Sequence, residues 1–461
     1  RFENAWVDHA MTNSYPGHAS IATGAYPNRH GLVDNSWREQ GDGEWTTVSA
    51  GALLTAACED GAPPAMEVKT IGERVLDAGG KFVAVSSASQ IVRAYGGQAA
   101  APVIRLSVDD GGFRTIECYG PEQPDWLAAF NENVMPNYIV HRWDLTAPPE
   151  VVSQLRADDS PFEGDADDDI AFPHEAPADI ENLLAWSYNT PFSDEALFEL
   201  AKTAIEAEEL GQDETSDLIH VSLNTIDNVG HDFGPFSVEQ TDNLFRADAA
   251  LGVFMDALDR MVGEGNWVLA LTGDHGGAPA PESREAADVP TARRISEEEV
   301  AAVIAAAHDA AAPYTQDDPA RVNAVIETLE SYELIDAALT HERARQRAVA
   351  GDPIAAVYMN SLIEGKISRH PFYSDDDGRS IAEFGVTPLL AENVVVDWAT
   401  SIHGSPYDYD RRVPIVFYGA GVRYGSSERL ARTVDIAPTL MGMIGIEIED
   451  EVDGVVLPVG E

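Results

Sequence analysis

The chain has 461 residues, 44% of them hydrophobic, with 29 basic against 79 acidic side chains and a net charge of −50. That length and composition support a sizeable core and exclude collagen, coiled coil and wholesale disorder. So acidic a surface repels phosphate backbones, which excludes a basic nucleic-acid-binding face, and no run of about 18 uncharged apolar residues offers a membrane span.

Any negative substrate must then be held by a local device, most simply metal ions. Only four of the basic residues are lysines (Lys69, Lys81, Lys202 and Lys366). An acidic, lysine-poor surface suits a salty habitat, and plain solubility explains it equally well. Cys58 and Cys118 form no C-x-x-C pair, and a disulfide or two free thiols both remain open.

The opening residues, RFENAWVDHAMTNS, carry no apolar signal core and read like the interior of a domain. Apolar, β-rich runs follow at Lys81–Ser86, Asp217–Leu223, Asn266–Thr272, Asn393–Trp398 and Val413–Gly419. Their near-continuous apolar character predicts strands buried on both faces. Helical patterns lie between them at Thr70–Ala78, Glu195–Glu209, Val238–Met261, Glu297–Ala311 and Val322–Ala338. This alternation predicts an α/β fold with a mostly parallel central sheet flanked by helices on both faces. Residues 97–185 and 281–391 read as insertions over that sheet, and their acidic runs, Asp158–Asp169 and Asp375–Asp377, read as solvated loops. Trp126, Trp143 and Tyr138 in the first insertion read as core packing ahead of cleft lining.

Four segments concentrate reactive side chains. In Met11–Trp37, Ser14 precedes the turn-like Tyr15-Pro16-Gly17 and then His18-Ala19-Ser20 at an apolar helical start. A hydroxyl at a helix N-terminus sits where negative charge is favoured, which suits a nucleophile for phosphorus and equally suits an N-cap. In NTIDNVGHDFG, Asp227 and His231 are four apart, so one helical turn puts both on one face, which suits a zinc half-site and, taken alone, suits a plain surface pair better. In LTGDHGG, Asp274 and His275 follow a strand, and Gly273, Gly276 and Gly277 permit a turn in which both reach one metal. In SIHGSPYDYDRRVP, His403 sits in a Gly-Ser-Pro turn, where in isolation a structural histidine is the plainer reading.

In this order the four segments resemble the alkaline phosphatase superfamily, in particular its PafA-like single-domain alkaline phosphatases and the related type I phosphodiesterases (nucleotide pyrophosphatases). SYPGHASIATG with Asn35 downstream in DNSW, then TPFSDEALFELAKTAIEAEELGQDE, DNVGHDFGP, LTGDHGGAPAPE, HGSPYDYDRRVPIVFYGAG and RTVDIAPTLMGMIGI, carry the resemblance over nearly the whole chain. It implies one catalytic domain over 1–461 and two Zn2+ ions. Asp227, His231 and His403 would hold one ion, and Asp274 and His275 the second, with Ser14 bridging towards it. Two ions about 4 Å apart clamp the attacking and leaving oxygens of an in-line displacement. The resemblance further implies that Ser14 takes the phosphoryl group as nucleophile, and that Asn35 donates to a non-bridging phosphate oxygen. The partner would be a small phosphate ester, and the location periplasmic or extracellular.

Three departures shape the expectation. The branch usually has Thr where Ser14 stands; Thr12, the other nearby hydroxyl, is too far from His18 in spacing. The superfamily's first metal-binding Asp, on an N-terminal strand, has no counterpart upstream of Ser14, since Asp8 lies in the segment just before the nucleophile. The natural protein is therefore expected to carry about 40 further N-terminal residues with a signal peptide and that Asp, supplying a strand this chain lacks. The Lys-x-Arg pair that grips a monoester dianion falls on Ala88 and Gln90, with Arg93 the nearest substitute. Losing those charge-assisted bonds weakens dianion recognition and raises a diesterase. The resulting order is phosphomonoesterase, then phosphodiesterase, then a non-catalytic binding protein on the same fold. The sulfatase pattern C/S-x-P-S-R is absent from the Ser14 segment.

Overall fold

The computed structural model describes residues 1–41, 44–57, 65–88, 91–97, 101–116, 119, 123–164, 169–369, 372, 374, 378–448 and 452–460. Cys58, Cys118, Gln90, Asp375–Asp377 and part of the acidic run 158–169 lie outside these residues.

Eight strands form two four-stranded sheets, with helices packed around them. They are β1 (Phe2–Trp6), β2 (Phe82–Ser86), β3 (Val103–Ser107), β4 (Gly112–Thr115), β5 (Leu218–Ser222), β6 (Val268–Thr272), β7 (Ile415–Gly419) and β8 (Ser427–Arg432). One sheet has the order β4-β3-β2-β5 and the other β6-β7-β1-β8. β2 pairs in parallel with both β3 and β5, and β4 joins as an antiparallel edge. In the second sheet β7 is antiparallel to β6 and β1, and β1 is parallel to β8. The class is the expected α/β, with parallel pairing concentrated around β2 and strands of mixed direction elsewhere.

β2 is buried along its whole length, as its FVAVS run requires. The apolar runs of β5 and β6 predict burial on both faces, but each is an edge strand and half-buried over most of its length. The difference arises because each has a hydrogen-bonded neighbour on one side only, so its apolar residues keep partial exposure. Residues 103–115, placed by the sequence in the first insertion, form β3 and β4 within the sheet itself. The run around Val394–Val396 is a strand, but it pairs with Arg293–Ile295 in a separate two-stranded sheet. The helix expected over Val322–Ala338 runs only Pro319–Leu329, and Ile335–Leu339 is a strand antiparallel to Thr387–Leu390. There, pairing and burial of Ile335 and Leu339 outweigh the helical preference of the alanines.

Four helices carry or support the reactive side chains: α1 (Ser14–Thr23), α2 (Pro191–Ala207), α3 (Thr225–Phe233) and α4 (Val238–Leu258). α1 starts after an extended Asn13 and ends at Gly24, whose φ of 75° is the left-handed C-cap conformation that favours glycine. α3 follows β5, so its first turn stands at that strand's C-terminal end. No helix of the described residues is long and apolar enough to cross a membrane. Trp143 is fully buried and donates to Asp242 of α4 (2.7 Å), while Trp126 and Tyr138 pack against the core around Phe113 and Phe130.

Candidate active site

Ser14 opens α1, and Gly17 brings that helix against the end of β6. A Cβ on Gly17 would lie 2.6 Å from the main-chain oxygen of Asp274, so only glycine permits this approach. Ser14 Oγ consequently stands 3.5 Å from His275 Nε2. Asp274 Oδ2 lies 3.2 Å from the same Nε2.

On the other side, one turn of α3 presents Asp227 and His231 together, with Nε2 3.4 Å from Asp227 Oδ1. His403 Nε2 lies 3.7 Å from that oxygen. Among the described residues, Asp227, His231 and His403 form the one group whose three donor atoms fall within 4.8 Å of one another. The two half-sites touch, since the rings of His275 and His403 stack with centroids 3.6 Å apart. Ser14, Asp227, His231, Asp274, His275 and His403 thus lie together, and the second half-site offers two candidate ligands, Asp274 and His275, besides Ser14.

The imidazoles share one arrangement. The Nδ1 of His231 lies 2.7 Å from the carbonyl of Ser401, that of His275 2.9 Å from the carbonyl of Gly276, and that of His403 3.0 Å from the carbonyl of Thr12. A carbonyl only accepts, so each Nδ1 carries the proton, and each Nε2 turns its lone pair towards carboxylate oxygen. Lone pairs facing carboxylates at 3.2–3.7 Å repel unless positive charge lies among them, supplied by a proton on Nε2 or by a metal ion. Asp227, His231 and His403, with each imidazole anchored through Nδ1, could hold a divalent metal ion. Burial disfavours charge on His275, but Asp274 and Asp227 outweigh it and raise its pKa. Burial likewise pushes Asp274 up, and His275 and His18 more than reverse this.

Asn35 lies beside the N-terminus of α1. Its Oδ1 accepts from the Tyr15 main-chain N–H at 3.0 Å, which leaves its NH2 as the donor end. Asp8 is no ligand: it pairs with Arg411 (3.0 Å) and Arg432 (2.9 Å) and accepts from Tyr26. Thr12 donates to the carbonyl of Ser405. Ala88 is buried, and the Arg93 guanidinium donates to Thr55 Oγ1.

Sequence reasoning passed over His18. Its Nε2 lies 3.3 Å from Asp274 Oδ2, on the same face of α1 as Ser14. The signal was its position, four residues after Ser14 in a helix. It also passed over Asp194, a buried residue of α2. Asp194 accepts from the main-chain N–H groups of Asn224 and Thr225, both at 3.1 Å, and from the hydroxyls of Ser87 and Thr225, both at 2.5 Å. It therefore caps α3, whose own N-cap side chain makes no capping bond.

With this geometry in view, the family assignment follows from one match: the type I phosphodiesterase / nucleotide pyrophosphatase family fits residues 2–369. The chain belongs to that family. As a member it is an enzyme that hydrolyses phosphate esters. Relatives along the full length include alkaline phosphatase PafA of Elizabethkingia meningoseptica, 24% identical over 96% of this chain and 85% of the relative. Alkaline phosphatase PhoV of Synechococcus elongatus is 26% identical over 96% of this chain and 83% of its own length. Among solved structures, PafA superposes with a TM-score of 0.81 at 22% identity, covering 99% of this chain and 91% of that one. This family member thus has the alkaline phosphatase PafA fold.

Proposed function

We propose that the chain is a two-zinc phosphomonoesterase, an alkaline phosphatase with Ser14 as nucleophile. The observation that carries this is the common orientation of His231, His275 and His403, each with Nδ1–H fixed on a carbonyl and Nε2 turned to a carboxylate. Asp227, His231 and His403 would hold one ion, and Asp274, His275 and Ser14 the other. When bound, zinc supplies positive charge for the phosphate and lowers the pKa of coordinated hydroxyl groups.

The chain's own residues do the rest. Ser14 Oγ attacks phosphorus as the bond to the ester oxygen breaks, and the proton that Ser14 gives up to solvent is balanced by one taken up by the departing alkoxide or phenoxide, which leaves as the alcohol or phenol. A phosphoserine remains, which water hydrolyses to free Ser14 and inorganic phosphate. Asn35, its Oδ1 engaged by Tyr15, directs its NH2 at a non-bridging oxygen, a fixed dipole for developing charge. His18 steadies the carboxylate of Asp274. The reading includes an exported, periplasmic or extracellular protein, which fractionation of the producing cells tests.

A diesterase is favoured by one observation: Ala88 is a buried, uncharged side chain where the resemblance calls for a cation. Hydrolysis of phenyl phosphate and of its bis-aryl diester by the zinc-supplemented chain decides between them, with Ser14→Ala as blank. Faster monoester turnover supports the proposal. Faster diester turnover overturns its monoester part.

A further inference from the structure

The floor beneath Ser14 and Asn35 holds a carboxylate that belongs to neither half-site. Asp34 is completely buried. Its Oδ1 accepts from Asn13 Nδ2 at 2.6 Å and from the Asn35 main-chain N–H at 2.7 Å. Its Oδ2 accepts from Ser368 Oγ at 2.5 Å. Asn13 immediately precedes the nucleophile, and Asn35 carries the proposed phosphate donor. One carboxylate therefore grips both flanks of the site from below.

The consequences run through α1. Asn13 stands at the N-cap position, yet its side chain makes no capping bond. Its amide is turned to Asp34 instead, and the duty falls to Asn35 Oδ1, which accepts from Tyr15 N–H. With that oxygen engaged, the rotation of the Asn35 amide is fixed and its NH2 is the end left for a ligand. Ser368 belongs to the strand Lys366–Ser368, which pairs antiparallel with Ser36–Gly41, so the second expected insertion also bears on this point. A buried carboxylate holding these three donors is strongly fixed, and removing it leaves them unpaired.

We infer that Asp34 is a positioning residue for phosphate-ester hydrolysis, locking Asn13 and Asn35 so that the Ser14 hydroxyl and the Asn35 amide address the same phosphoryl group. The inference rests on the proposed roles of Ser14 and Asn35. Its energetic content is geometric, since a misplacement of about 1 Å costs up to about 100-fold in rate.

A double-mutant cycle on the full chain tests it, using phenyl phosphate with zinc. Asp34→Ala is expected to lower kcat/KM about 10- to 100-fold, but no more than about threefold once Asn35→Ala is present. Asp34→Asn restores most of the loss, because its remaining oxygen still accepts from Asn13 and Asn35 while its NH2 can donate to Ser368. Ser368→Ala, which deletes one anchor only, gives a smaller loss with the same dependence on Asn35 and serves if Asp34→Ala does not fold. Equal losses with and without Asn35 overturn the inference. If the chain turns over no phosphate ester, or Asn35→Ala leaves turnover untouched, the functional reading falls. The crystal structure of the Asp34 or Ser368 variant then decides the inference separately: an Asn35 Oδ1 still bonded to Tyr15 N–H overturns it, and a displaced amide supports it.

Discussion

The imidazoles of His275 and His403 lie face to face, 3.6 Å apart and within 18° of parallel, so the two half-sites share a wall. His403 comes from a loop before β7 and His275 from the end of β6, and β6 and β7 are direct neighbours. Beyond the paired strands, the main-chain bonds from Gly276 N–H to the Asp410 carbonyl (2.7 Å) and from Ala278 N–H to the Ile402 carbonyl (2.9 Å) hold the two loops side by side.

His403→Ala removes both a donor and that wall. The expected outcome is a fall from two bound zinc ions per chain to one or none, with turnover reduced at least about 100-fold. Metal analysis of the purified variant beside wild type checks it.

Gly17→Ala is expected to damage activity through packing alone. Its Cβ would meet the Asp274 carbonyl oxygen at 2.6 Å, so α1 must move away from the end of β6. A stability loss of about 1–3 kcal/mol results, together with a lower kcat as Ser14 draws away from His275. Denaturant unfolding and steady-state kinetics measure the two effects.

Asp194→Ala is expected to weaken zinc binding without touching a ligand. The carboxylate caps α3, which presents Asp227 in its first turn and His231 one turn further on. Loss of such a support typically costs about 10- to 100-fold in metal affinity. Competition with a chromophoric chelator reads it directly, and an unchanged affinity would show that α3 keeps its place unaided.

Stability should fall on acidification because of His30. Its Nδ1 accepts from Leu32 N–H at 3.2 Å and its Nε2 meets Ser20 Oγ at 3.1 Å, so the buried ring is neutral. Burial first, and His9 second, lower its pKa from the ordinary 6.5 to about 3. The unfolded chain therefore binds the proton more readily. The ring's contribution is fully present above pH 6.5 and is lost as pH falls from there towards 3. Between pH 7 and pH 4 that amounts to about 3 kcal/mol. His30→Gln should flatten this part of the curve; an unchanged slope in urea unfolding from pH 7 to pH 4 would contradict the assignment.

Much of the site was legible in the sequence because the chemistry clusters in short segments. Asp227 and His231 are one helical turn apart, and Asp274-His275 follow an apolar strand bounded by glycines, so local spacing marked each pair while fitting a plain surface pair as well. Their convergence with His403, far along the chain, came from the resemblance and not from spacing. The sequence misled at Val322–Ala338, where strand pairing ended an alanine-rich helix at Leu329. It misled also at β5 and β6, whose apolar runs belong to edge strands. Asp34 and Asp194 were invisible, because an aspartate's role as an acceptor of several distant donors exists only after folding.

The most direct measurement is phosphate-ester turnover by chelator-stripped chain as zinc is added back, with Ser14→Ala alongside. The account predicts no turnover without metal, a rise to a plateau at two zinc ions per chain, and silence from Ser14→Ala throughout. Full turnover in the stripped chain, or undiminished turnover in Ser14→Ala, would contradict it.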